Sequence, residues 1–165
     1  LAAIMGHPQF KQFTEKFMSI RTVFTTAAFG LAAVAAAYGA EPQEMRQEMM
    51  KHVGGATGAM AKMVKGEDDF DQAKVIEALT TISNTMAEFP DQFPEGSETG
   101  MDTEAAPAIW ENKDDFDAKA MALKEDADAG IANPPADLDG LKAMFGPLTK
   151  NCGSCHETYR LKKEG

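Results

Sequence analysis

The sequence predicts an all-α protein built as a helical bundle, and three observations carry that prediction. After residue 41, four segments place apolar residues at steps of three and four, the period of a helix face. None shows a sustained two-residue alternation, the mark of a half-buried strand. The 165 residues, 44% of them apolar, suffice for one domain with a core that needs no disulfide staples.

The first helix is expected over about 42–65, with Met45, Met49, Val53, Ala56, Met60 and Met63 on its inward stripe and Pro42 tolerated in the first turn. Gly54, Gly55 and Gly58 weaken it, since a helical glycine costs about 1 kcal/mol relative to alanine. Three in five residues suggest close approach of another backbone or room kept for something bulky. The second helix is expected to start near Asp69 or Asp71 and to end at Phe89, because Pro90 disfavours helical geometry in the residue before it. Val75, Leu79, Ile82, Met86 and Phe89 form its seam, and Asp69 with Gln72 makes a candidate capping box.

A polar connection over about 90–104, with Pro90, Pro94, Gly96 and Gly100, exceeds an ordinary bundle turn and is expected to cross the end of the bundle. The third helix is expected from Ala105 to Ala132, with Ile109, Phe116, Ala120, Leu123 and Ala127 inward. The fourth begins at an Asp137 N-cap and carries Leu138, Leu141, Phe145, Leu148, Cys152, Cys155 and Tyr159 on one stripe. Gly146-Pro147 is expected to kink it, and Lys162 and Lys163 complement its dipole. Both cysteines therefore fall on the buried face.

Met18 to Ala40 has the three parts of a secretory signal peptide: a basic start at Arg21, an apolar run and a string of small residues. Cleavage is expected after Ala40, or after Ala37. A membrane anchor competes, but the stretch is alanine-rich and spanning takes about 20 strongly apolar residues. Residues 1–17 read as a non-native upstream extension. The mature chain is then 41–165, with 13 basic and 25 acidic residues and a net charge of −12. It is expected in the periplasm, with no stable membrane insertion once the signal is cleaved. Its acidity argues against nucleic-acid binding, which takes a basic stripe.

Cys152-Gly153-Ser154-Cys155-His156 is C-x-x-C-H, the attachment sequence for c-type haem. Two thiols three residues apart on one helical face can each form a thioether to a vinyl group of one porphyrin, and the following histidine can reach the iron. Competing readings are a structural zinc site, for which the mature chain adds only His52 as a further His or Cys, and a thioredoxin-like pair, which lacks its βαβ context.

A secreted four-helix chain with one C-x-x-C-H in its last helix resembles the cytochrome c′ family, including the low-spin cytochromes called c-556. The resemblance covers 41–165 and rests on the string from Arg46 to Lys51, on Ile109-Trp110 with Phe116, and on the terminal run from Cys155 to Arg160. It implies an antiparallel four-helix bundle with one covalent haem c in the core, held through Cys152 and Cys155, with His156 below the iron and Met50 facing it from above. Met50 supplies a thioether, a ligand that raises the potential. The competing reading is that Met50 is adaptable packing in a chain with 11 methionines.

Arg46 is expected to pair with a haem propionate, and Met49, Trp110, Tyr159 and Arg160 complete the candidate cofactor contacts. The expected function is single-electron transfer, not enzymatic turnover, with redox partners that offer basic faces. The alternative is a five-coordinate protein binding NO or CO. The resemblance also implies a homodimer through the first two helices. His52 is expected at the surface, and the acidic runs 67–71 and 114–117 as solvated helix starts.

Overall fold

A computed structural model describes residues 41–162. The expected extension over 1–17 and signal peptide over 18–40 lie outside the described residues. α1 spans Pro42–Lys65, with proline in the first turn where its missing N–H is no loss. It stops at Gly66, whose φ of 76° suits glycine and whose N–H donates to the Lys62 and Met63 carbonyls. Met49, Val53, Met60 and Met63 are buried as the stripe requires, but Met45 is exposed. In the first turns the inward positions go to Gln43 and Arg46, three residues apart and three before Met49, and this rotates Met45 outward. A Cβ built at Gly54, Gly55 or Gly58 would meet nothing within 4 Å, so no described residue of this chain approaches them closely.

α2 spans Gln72–Glu88 behind an Asp71 N-cap, whose carboxylate accepts from the Lys74 N–H at 3.1 Å. The Asp69 capping box does not form; the Gln72 amide instead donates to the Pro135 carbonyl at 2.8 Å. Phe89, expected as the last helical residue, opens a 3-10 turn over Phe89–Gln92.

The connection that follows crosses to α1 as expected. The Gln43 amide donates to Thr99 O at 2.8 Å, and the Gln47 amide to Met101 O at 2.9 Å. The expected third helix is broken in two, α3 (Ala108–Glu111) and α4 (Lys113–Ala132). Asn112 separates them with an extended φ of −134°. Ala105 lies before α3 in an isolated antiparallel bridge to Arg160. α5 spans Leu138–Tyr159 from its Asp137 cap, which accepts from Gly140 N–H at 2.8 Å, and continues through Pro147.

Side-chain pairs give the direction of each helix. From α2 to α4, Leu79 faces Gly130, Ser83 faces Asp128 and Phe89 faces Phe116. From α4 to α5, Asp115 faces Tyr159, Asp126 faces Asn151 and Gly130 faces Met144. Ascending numbers on one helix meet descending numbers on the next, so α2, α4 and α5 alternate in direction, and the short α1–α2 link adds a fourth antiparallel helix. α1 and α5 also touch, which closes the ring. Among the described residues no helix is long and apolar enough to cross a membrane.

Candidate functional site

At the end of the bundle where α1 begins and α5 finishes, the four helices and the long connection line a cavity of about 240 Å³. Met50, Met86, Phe89, Phe93, Phe116 and Leu123 give it apolar walls. The aromatic part is braced edge-on: Phe116 lies 4.6 Å from Phe93 and 5.3 Å from Tyr159, centroid to centroid.

Cys152 and Cys155 line the cavity from the last turns of α5, half-buried and without a disulfide. Burial pushes both thiols above their ordinary range. His156 lines the rim and is itself exposed. Desolvation and then the Arg160 cation lower the proton affinity of its imidazole, while Glu104 acts the other way. A neutral imidazole is the form that ligates a metal. Among the described residues no three His, Cys, Asp or Glu side chains gather as metal ligands, which leaves the zinc reading without a ligand set.

Arg46 is buried in the part of the wall that α1 supplies. Its Nη2 donates to Ser97 O at 2.7 Å and its Nε to Pro42 O at 3.2 Å, and its guanidinium lies 4.5 Å from the Phe93 centroid. Nη1 has no partner, nor does the neighbouring Gln43 Oε1. Burial pulls the guanidinium's proton affinity down, with Glu98 opposing. An unsatisfied buried N–H on a cation is costly, and a carboxylate entering the cavity would satisfy it. Apolar walls, two thiols, an imidazole and an orphaned guanidinium N–H together fit a flat apolar macrocycle that carries acid groups.

The remaining expected residues divide. Met50 is half-buried and lines the cavity, as do Tyr159 and Arg160. Met49 is buried in the core and is not part of the lining. Trp110 also stands off the cavity, its indole N–H donating to Pro94 O at 3.3 Å and its ring 5.8 Å from Phe93. The Tyr159 hydroxyl donates to Asp115 at 2.6 Å, and the carboxylate pushes the phenol up to about 12. His52 is exposed beside Glu48.

Sequence reasoning missed Gln43, Phe93, Glu104 and Asp115. Gln43 alone had a local signal, since it precedes Arg46 by three residues on one helix face. Phe93 and Glu104 sit in the long connection, where no periodicity points inward.

Fold and site together define a c-type haem protein built on an antiparallel four-helix bundle. The cytochrome C′ family model matches residues 41–160, and the chain belongs to that family. It is 51% identical over 146 residues to cytochrome c-556 of Agrobacterium fabrum (strain C58), covering 88% of this chain and 99% of that protein. It is 53% identical over 120 residues to cytochrome c-556 of Agrobacterium tumefaciens (strain II Chrys), covering 73% of this chain and 97% of the relative. Among solved structures it resembles cytochrome c′ from Rhodopseudomonas palustris with a TM-score of 0.73 and 39% identity, over 76% of this chain and 100% of that one. The protein is a monohaem c-type cytochrome, and its C-x-x-C-H cysteines, Cys152 and Cys155, are the pair that carries haem c.

Proposed function

We propose that the protein is a periplasmic single-electron carrier whose haem iron is held by His156 and Met50. The observation that carries this reading is the presence of the Met50 side chain, on α1, in the same cavity wall system as Cys152, Cys155 and His156 on α5. Bound haem supplies a one-electron ferric/ferrous couple, and the chain tunes it. A thioether ligand favours the reduced state and raises the potential. Phe89, Phe93 and Phe116 exclude water, and the free Nη1 of Arg46 is available to a propionate. Both relatives above bear the name cytochrome c-556, in keeping with this reading. The mature charge of −12 steers the protein toward basic faces of redox partners, so association weakens as salt rises.

The second methionine in the wall, Met86, gives the test its control. Met50→Ala is expected to convert a low-spin spectrum to a high-spin one and to open the iron to CO and NO, while Met86→Leu leaves the spectrum unchanged. An unaltered spectrum in Met50→Ala overturns the ligand assignment. A high-spin spectrum in the parent protein favours the gas-binding reading instead.

A further inference from the structure

We infer that Glu104 is a positioning residue for the haem site: it holds the Arg160 guanidinium at the cavity rim and cancels its charge beside the iron ligand. The inference rests on the haem reading above and extends it to a residue outside the C-x-x-C-H sequence.

Arg160 caps the end of α5 four residues after His156, its N–H donating to the His156 carbonyl at 3.3 Å. Both line the cavity, as do Thr103, Glu104 and Ala105 from the connection. Arg160 Nε and Nη2 both reach Glu104 Oε2, each at 2.5 Å. The carboxylate is the less exposed partner, at 27% against 52% for the guanidinium.

Most exposed ion pairs float on flexible stems and contribute little. Here the backbone fixes both ends. Ala106 N–H donates to Tyr159 O at 3.0 Å and Leu161 N–H to Glu104 O at 2.8 Å, two rungs of an antiparallel bridge on either side of the pair. The connection is itself tethered to α1 through Gln43 and Gln47. The backbone that carries the carboxylate is therefore held against the end of α5. Lys119 of α4, which also lines the cavity, lies 3.9 Å from Asp115.

An uncompensated cation at this rim favours the less positive, reduced iron, and an uncompensated carboxylate favours the oxidised form. Paired, the two charges offset each other, so neither acts on the iron uncompensated.

The test compares midpoint potentials of the holoprotein by spectroelectrochemical titration near neutral pH for wild type, Glu104→Gln, Arg160→Gln, the double variant and Glu104→Asp. Glu104→Gln is expected to shift the potential upward and Arg160→Gln downward. The double variant should fall between them, and Glu104→Asp, which keeps the charge, should stay near wild type. Both shifts should shrink as salt is added. A merely structural latch gives single variants that share a lowered melting temperature and move the potential in one direction or not at all, and either result overturns the inference. Pyridine haemochrome spectra separate the two levels. Haem present with no opposed shift sinks the latch alone, whereas a wild type without covalent haem sinks the electron-carrier reading and the latch together.

Discussion

Where α1 ends and α2 begins, Met60, Met63, Val75, Leu79 and Leu141 are sealed from solvent. There Gly130 brings α4 so close that an added Cβ would stand 2.8 Å from the Met144 sulfur and 2.9 Å from Leu79 Cδ1. At the other end the same four helices enclose a cavity, with two buried polar atoms unpaired in its wall. One end is a hydrophobic core sealed from solvent, and the other is a core that surrounds a cavity. The contrast teaches that the bundle is anchored from the closed end, while burial at the open end is completed by haem.

The largest test of this contrast removes the guest. Cys152→Ser combined with Cys155→Ser is expected to abolish covalent haem, read as a null pyridine haemochrome after denaturation. Amide hydrogen exchange around Phe89, Phe93 and Phe116 should then accelerate about tenfold or more, while the segments holding Met63, Leu79 and Leu141 keep their protection. Equal loss of protection at both ends would dissolve the distinction.

The next test attacks the closed end. Leu79→Ala deletes a fully buried side chain where three helices meet, and the expected cost is about 2–5 kcal/mol in denaturant unfolding. The haem spectrum should not change, because Leu79 is absent from the cavity lining. A spectral shift comparable to that of Met50→Ala would show that the two ends are one packing unit.

These tests use residues that the sequence exposed unequally. The apolar stripes of α2, α4 and α5, the Pro42 start, the Asp137 cap and the C-x-x-C-H sequence were all legible, since each is a local pattern with a local cause. Misreadings arose where tertiary contacts overrode the pattern. Arg46 and Gln43 are inward because the connection offers them carbonyls at Ser97 and Thr99, and Met45 turns outward as a result. The break at Asn112 separates α3 from α4 within a stretch whose apolar spacing reads as one helix. Glu104 gave no signal at all, because its role comes from a bridge between segments 56 residues apart. Gly130 is the converse: the sequence drew attention to the three glycines of α1, which face open space, and passed over the one that the packing needs.

The smallest expected effect lies on the border of the cavity, at Tyr159. Its hydroxyl donates to the Asp115 carboxylate, and ionising the phenol would both break that bond and set two negative charges together. The folded state therefore raises this phenol from its ordinary 10.0 to about 12. A group whose folded value lies above its unfolded one stabilises fully below the unfolded value and loses that contribution as pH rises through the folded one. The contribution of Tyr159 is thus complete below pH 10.0 and disappears towards pH 12. Melting temperatures of wild type and Tyr159→Phe, measured across this window, should converge as the pH rises, with the wild type the steeper of the two. Parallel curves would mean that the phenol titrates alike in both states and that the Asp115 contact adds nothing to the open end. Convergence would show that part of the unfinished core is held by a protonated hydroxyl as well as by the guest.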